Sequence, residues 1–345
     1  METNAGRAAQ RSWSSARKLA ALAAWAALLS CSGGDAVEGE QAGVGRPRTV
    51  GEGSDPAGPP PEIAAYELRP GESLDVIEAF QPDGRPLLRR EVLRDADGVL
   101  NHGHFQRWHT NGILAEDGYY LRGQKHGTYV VIADTGLKES EVAYVQGKRH
   151  GPALSWTGLG QLKERASYAD GQLDGDYESF AGGQPKARGR YVAGSEEGVW
   201  TFWYPGAAKE EEGTYAGGKR TGLWRAWHPN GNLRSEETFR NGSLDGPASE
   251  YDREGRKIAD RSYAGGVPDG LQVEYYPDGS PLSEERYSAG RPEGMQRRWF
   301  PGGILQVEGT MRAGKREGRW SYFNADGTIN QAWSGEYRED VRVSG

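Results

Sequence analysis

The amino-acid sequence predicts an all-β protein, an elongated antiparallel meander of about ten β-hairpin repeats of 24 residues each. The chain of 345 residues contains 52 glycines, 11 tryptophans and 17 tyrosines, a composition typical of short strands joined by tight turns. Its mean hydropathy of −0.78 leaves no large apolar core. A glycine also recurs about every 24 residues, which indicates one repeat array instead of separate globular domains.

The beginning of the chain has the character of an export signal. Residues 1–18 carry four basic residues and one acidic residue, residues 19–29 are mostly apolar, and Cys31, the only cysteine, follows directly after Ser30. This order resembles a bacterial lipoprotein signal peptide over residues 1–30, with Cys31 as the lipidated residue. The apolar run is too short to span a bilayer. The alternative is an ordinary secretory signal in which the cysteine has no role.

Charge limits the surfaces that the mature chain can bind. Removal of residues 1–30 changes the formal net charge from −7 to −10, because that segment carries a net charge of +3. An acidic protein repels nucleic acids and anionic headgroups. We therefore expect no nucleic-acid binding, and membrane contact through the lipid anchor only. By resemblance to known lipoproteins, Ser32 after the cysteine implies a location in the cell envelope, at the outer membrane.

Composition divides the rest of the chain into three parts. Residues 31–62 are rich in glycine, proline and acidic residues, and we expect a disordered tether. Residues 63–101 contain a Pro-Asp-Gly turn sequence and are expected to form a degenerate capping repeat. Residues 102–345 carry the regular repeats.

Three columns recur in register through this array. The first is the repeat glycine, at Gly103, Gly127, Gly151, Gly175, Gly198, Gly222, Gly246, Gly270, Gly294 and Gly318. The second, five residues later, holds Trp108, Ile132, Trp156, Phe180, Trp203, Trp227, Tyr251, Tyr275, Trp299 and Phe323. The third, about seventeen residues after the glycine, holds Tyr120, Tyr144, Tyr168, Tyr191, Tyr215, Phe239, Tyr263, Tyr287 and Met311.

Each unit is expected to be a hairpin. In one well-preserved copy a first strand at residues 223–227 is followed by His-Pro-Asn-Gly at 228–231 and a second strand at 233–239. Proline presets the first turn angle, and we expect Asn-Gly to adopt the positive φ that a hairpin turn requires.

This unit resembles the MORN repeat, in the bacterial variant known from antitoxin-type repeat proteins of the YwqK kind. The copies at 222–242 and 270–290 match best, and the resemblance extends over roughly residues 100–340. It implies one long antiparallel sheet and a scaffold or linker role. Copies 3 to 5 depart from the pattern.

The sequence gives little support for a catalytic site or a metal site. His102, His126 and His150 share one column, but equivalent positions in adjacent hairpins lie about 10 Å apart, too far to share a zinc ion. We interpret this column as a solvated turn position. Carboxylate pairs such as Glu236-Glu237 recur with the repeat, whereas a catalytic acid and base should be unique. We expect a protein that is not an enzyme and has no metal or cofactor.

The densest aromatic cluster suggests a binding site for a protein partner. We expect the column of Trp203 and Trp227 to form the packed face of the sheet. Strand alternation would then leave four aromatic residues on the opposite, exposed face. These candidate partner-binding residues are Trp200, Phe202, Tyr204 and Trp224.

Three functional hypotheses follow. The first is a non-catalytic, lipid-anchored envelope protein that acts as a protein-binding scaffold. The second is an antitoxin or immunity protein that neutralises a toxin, as the family resemblance implies. The third is a carbohydrate-binding surface protein, which the tryptophan-rich strands favour.

Overall fold

The computed structural model describes residues 58–344. The expected signal peptide, Cys31 and the tether up to residue 57 lie outside these residues. The secondary structure comprises helix α1 (Pro61–Ala64) and strands β1 (Ser73–Phe80), β2 (Pro86–Asp95), β3 (Gly98–Trp108), β4 (Leu114–Leu121), β5 (Gln124–Ile132), β6 (Lys138–Val145), β7 (Lys148–Trp156), β8 (Leu162–Ala169), β9 (Gln172–Leu173), β10 (Gly175–Ala181), β11 (Gln184–Val192), β12 (Ser195–Trp203), β13 (Lys209–Ala216), β14 (Lys219–Trp227), β15 (Leu233–Arg240), β16 (Ser243–Tyr251), β17 (Lys257–Ala264), β18 (Val267–Pro268), β19 (Gly270–Tyr275), β20 (Pro281–Ser288), β21 (Arg291–Trp299), β22 (Leu305–Arg312), β23 (Lys315–Tyr322), β24 (Gly335–Arg338) and β25 (Val341–Ser344).

These strands form one 25-stranded antiparallel meander, which confirms the predicted fold class. Each strand pairs with its neighbour in sequence, as β12 does with β13 and β13 with β14. The pattern is interrupted at two places, where a strand is split into two short pieces. β9 and β10 both pair with β8, and β18 and β19 both pair with β17. Among residues 58–344 there is a single sheet and no second layer, so side chains must bury one another along its faces.

Successive hairpins are joined by two-residue turns. In the turn from β4 to β5, Arg122 and Gly123 have φ values of 48° and 83°. Two consecutive positive φ values define the type I′ turn, whose twist matches that of the flanking strands. Non-glycine residues accept this conformation at the equivalent positions Gln146, Asp170, Ala193, Asn241, Ala289 and Ala313.

The turn inside each hairpin is of another kind. In the Pro-Asn-Gly turn after β14, Gly231 has a φ of 90° and donates its N–H to the His228 carbonyl at 2.8 Å. Asn230 does not have positive φ, so within the Asn-Gly pair the glycine alone adopts the expected conformation. Instead, the Asn230 amide donates to the Arg253 carbonyl of the next hairpin at 2.6 Å. This side chain ties neighbouring turns together.

The repeat glycine marks an irregularity in the ladder. Gly198 has a φ of 72°, and the pairing of β11 with β12 shifts register beside it. As a result, Gly189 of β11 faces residues 198–200 of β12. Such a bulge redirects the strand and the side chains that it carries.

The N-terminal boundary of the folded part lies earlier than expected. Residues 58–62 were assigned to the disordered tether, but Pro61–Ala64 forms helix α1 and Pro60 packs against Gly127. The segment is held in place because the guanidinium of Arg122 donates hydrogen bonds to Glu72 and to the Tyr66 hydroxyl. Residues 60–64 therefore belong to the folded part of the chain.

Candidate binding face

The two faces of the sheet differ in what they bury. We call the face that carries Trp200 and Trp224 the core face, and the face that carries Val199 and Trp203 the open face. Trp200 and Trp224 are only 2% and 1% exposed. The expectation that these two indoles lie on an exposed surface is wrong. The packed face is the one opposite to the column of Trp203 and Trp227.

Glycine in the preceding strand explains how an indole is buried on a single sheet. Trp200 lies against Gly189 and Trp224 against Gly213, where an added Cβ would approach the ring to 2.1 Å. Each indole Nε1–H donates to a backbone carbonyl of the preceding strand, at 3.2 Å from Trp200 to Arg190 and at 3.1 Å from Trp224 to Thr214. The ring thus fills the space that a side chain on the neighbouring strand would occupy.

Tyrosines of the third column complete this aromatic row. Tyr191 meets Trp200 edge to face at 5.1 Å, and Tyr215 meets Trp224 in the same way at 4.9 Å. The Arg220 guanidinium lies 4.0 Å above the Trp224 ring. Burial raises the pKa of Tyr191 and Tyr215 above the usual range, as expected for hydroxyls in apolar surroundings.

The other two predicted contact residues are half-buried. Phe202 stacks on Trp200 with ring centres 5.8 Å apart, and the Tyr204 hydroxyl donates to the Trp227 carbonyl of the next hairpin at 3.0 Å. Tyr276 donates to Trp299 in the same manner at 2.8 Å. Phe202 and Tyr204 therefore make contacts that support the sheet.

Charged residues on the core face are paired. Arg220 forms a two-point ion pair with Glu211 at 2.6 and 2.7 Å. Burial raises the pKa of Glu237, although the charge of Arg220 opposes this change. These carboxylates have electrostatic partners within the repeat.

The column of His102, His126 and His150 forms a row of hydrogen-bond acceptors for backbone N–H groups in the turns, which we call the acceptor row. The His102 Nδ1 accepts the backbone N–H of Arg122 at 3.3 Å, and His126 and His102 are both buried. In later copies a carboxylate replaces the histidine and accepts the equivalent N–H. For example, Glu197 accepts the Gly217 N–H at 2.8 Å. The interpretation of this column as a merely solvated position is wrong for the buried histidines. No cluster of three metal-ligating residues occurs among residues 58–344.

The open face presents an exposed apolar stripe. Its members directly follow the repeat glycine in five consecutive copies: Val199, Leu223, Pro247, Leu271 and Met295. Val199 and Leu223 are 63% and 45% exposed, and Leu271 and Met295 are 39% and 40% exposed. On the intervening strands they face polar residues: Val199 faces Thr214, Leu223 faces Thr238 and Leu271 faces Arg286. The stripe was not identified from sequence, although an apolar residue after the glycine in five successive copies was visible there.

Ion pairs and aromatic rings border the stripe on the same face. Arg225 pairs with Glu236 at 2.8 Å beside Leu223. Closer to the turns, Lys209 lies 5.0 Å above the Trp227 ring. The exposed apolar residues of the stripe thus recur on every second strand, alternate with polar residues on the strands between them, and lie beside a neutralised polar border.

A groove of about 470 Å³ lies at the C-terminal end of the array. Its lining includes the stacked rings of Trp320 and Tyr322, the side chain of Arg298, and Trp333, which is 62% exposed. The segment after β23 departs from the repeat and contributes Asn330 and Trp333 to this groove.

Within the described range, no helix is long and apolar enough to cross a membrane.

Comparisons with known proteins agree with the repeat pattern. The family described as "MORN repeat variant" matches residues 220–241 and 268–289, the two copies that fit the consensus best. No curated protein matches the chain. Among solved structures, "Crystal Structure of TcdB2-TccC3" is similar at 12% identity with a TM-score of 0.17, covering 76% of this chain and 17% of that chain. "Crystal Structure of TcdB2-TccC3-Cdc42" is similar at 12% identity with a TM-score of 0.15, covering 74% and 19%. The chain thus spans less than a fifth of either structure's chain, and neither likeness bears on its function.

Proposed function

We propose that this β-hairpin repeat protein is a non-catalytic scaffold that binds a protein partner along the apolar stripe of its open face. The observation that carries the proposal is the exposure of Val199, Leu223, Leu271 and Met295 in register. Isolated exposed apolar residues are ordinary, whereas exposed apolar residues that recur in register on one face beside a polar border are typical of an interaction surface. Over residues 58–344 the sheet has no covering layer, so it also offers a long face to a partner.

The proposal includes attachment of the scaffold to the cell envelope through a lipid on Cys31. The sequence order of basic, apolar and cysteine-ending segments supports it. A lipid anchor would hold the repeat array at the outer membrane, where the partner is expected.

The stripe can be tested by affinity capture from intact envelopes. We expect the wild-type protein to retain a partner that the double variant Val199→Ser with Leu223→Ser loses. Substitution of exposed residues changes stability by less than about 0.5 kcal/mol, so the variant should keep its circular dichroism spectrum. Val145→Ser is the matched control, because Val145 is 41% exposed but lies outside the stripe. Equal capture by all three proteins would contradict the proposal.

The C-terminal groove supports a second candidate, binding of a neutral oligosaccharide. Flat indole faces next to amide and guanidinium groups are suited to the apolar and polar sides of a sugar ring. Titration with chitin and cellulose oligosaccharides should change the tryptophan fluorescence of the wild type and not of Trp333→Ala. An identical response of both proteins, or none, would exclude this candidate for those sugars.

A further inference from the structure

The N-terminal segment shows how a proline docks on a repeat glycine, directly before helix α1 (Pro61–Ala64), which carries Glu62. Pro60, with φ −51° and ψ 143°, is in the polyproline II conformation. It fills the notch above Gly127, where a Cβ would lie 2.4 Å from the proline Cγ. Two residues later, the Glu62 carboxylate lies 3.3 Å from the His126 ring, the residue before that glycine. The segment then continues toward the preceding repeat, where Tyr66 packs on His102 at 4.3 Å.

Equivalent notches are filled from within the sheet in several other repeats. A Cβ at Gly175 would approach the Ser167 side chain to 2.9 Å, and one at Gly246 would approach Thr238 to 3.2 Å. At Gly198 and Gly222, by contrast, such an atom would meet no neighbour within 4 Å. These two adjacent notches are therefore open, and each is followed by an exposed residue of the stripe, Val199 or Leu223.

The spacing of the open notches matches a polyproline helix. Gly198 and Gly222 are separated by two strands, or about 9.6 Å. Three residues of polyproline II rise about 9.3 Å, so two prolines with two residues between them span the same distance. In the docked N-terminal segment the chain runs from the later repeat to the earlier one, so the first proline would meet Gly222 and the second Gly198.

Charge distinguishes this place from the docked segment. At the notch of Gly127 the neighbouring residue is His126, which accommodates Glu62. Before Gly198 the corresponding residue is Glu197, whose Oε2 accepts the Gly217 N–H at 2.8 Å and keeps a carboxylate at this position. A lysine or arginine two residues after the proline would complement it, whereas glutamate would be repelled.

We infer that the notches of Gly198 and Gly222, with Val199 and Leu223 beside them, bind a proline-rich extended segment of the partner with the pattern Pro-x-x-Pro-x-(Lys/Arg). The inference rests on the proposed function, since it names the chemistry of the partner that the stripe would bind. The preformed polyproline conformation lowers the entropy cost of docking.

The test measures binding of a fluorescein-labelled peptide of sequence GPAAPARA to the purified full-length protein by fluorescence anisotropy. We expect saturable binding, which becomes about tenfold weaker when alanine replaces both prolines or when the protein carries Val199→Ser with Leu223→Ser. Val145→Ser should leave the affinity unchanged.

A second peptide, GPAAPAEA, tests the charge. It should bind the wild type about three- to fivefold more weakly than GPAAPARA. Glu197→Gln should make the two affinities equal, because the amide oxygen still accepts the Gly217 N–H but carries no charge. No saturable binding, or binding that ignores the prolines, the stripe or the charge, would overturn the inference. If capture from envelopes still depends on the stripe while the peptides fail, the scaffold proposal stands and only this inference falls.

Discussion

Trp224 lies flat against Gly213 on the core face, so close that a Cβ on the glycine would be 2.1 Å from the indole ring. The same relationship joins Trp200 to Gly189 and Trp320 to Gly309. Where the aromatic residue is replaced by Ala153, the residue eleven positions earlier is the larger Val142, and both are buried. The sizes of the two residues are thus complementary across neighbouring strands, as close packing requires.

Gly213→Ala should destabilise the protein, because the added methyl group displaces the buried indole of Trp224. Overpacking of this kind costs about 1–3 kcal/mol, measurable by urea unfolding. Gly158→Ala is the control, since that glycine has ordinary φ and a Cβ there meets no neighbour within 4 Å. If Gly213→Ala in a Trp224→Ala background costs as much as in the wild type, the proposed contact is not the cause.

The acceptor row predicts a local effect of Glu293. Its Oε2 accepts the N–H of Ala313, a residue held at φ 51° in a two-residue turn. Glu293→Leu should lower the free energy of unfolding by about 1 kcal/mol and speed hydrogen exchange at the Ala313 amide. Glu293→Gln keeps an acceptor oxygen and should have the smaller effect. Unchanged exchange in the leucine variant would rule out this role.

Docking of residues 58–72 should weaken at low pH. Hydrogen bonds from Arg122 lower the pKa of Glu72 from the ordinary 4.5 to about 2. A carboxylate with a depressed pKa stabilises the docked state above its ordinary pKa, and this contribution is lost as the pH falls from about 4.5 through about 2. Carbon-detected NMR of the Glu72 carboxyl should show this low titration in the wild type. In Arg122→Gln the midpoint should rise, and an unchanged midpoint would contradict the assigned partner.

The proposed lipid anchor on Cys31 predicts two separate outcomes. Cys31→Ala should abolish incorporation of labelled palmitate and release the protein from membranes. Ser32→Asp should keep the lipid but shift the protein from the outer to the inner membrane fraction. The anchor would lie elsewhere if palmitate labelling persists in Cys31→Ala, or if Cys31→Ala is as firmly attached to membranes as the wild type.

The sequence contains a signal for the buried face of the sheet, but the sequence analysis assigns burial to the opposite face. The sequence analysis places the column of Trp203 and Trp227 on the packed face, whereas the structure buries Trp200 and Trp224 on the opposite face. The informative pattern was the pairing of each of these indoles with a glycine eleven residues earlier. Strand alternation correctly placed the two sets on opposite faces, but alternation alone does not say which face is buried.

The sequence by itself determined the all-β repeat architecture, because glycines and aromatic residues in fixed register admit only a chain of short hairpins with tight turns. It also determined the acidic charge of the chain. Only the tertiary structure decided which face buries its aromatic residues, that the histidine column holds turn amides, and that residues 58–62 dock on the array. The physical reason is that burial in a single sheet depends on cross-strand neighbours. The bulge at each repeat glycine brings residues together that no periodicity within one strand reveals.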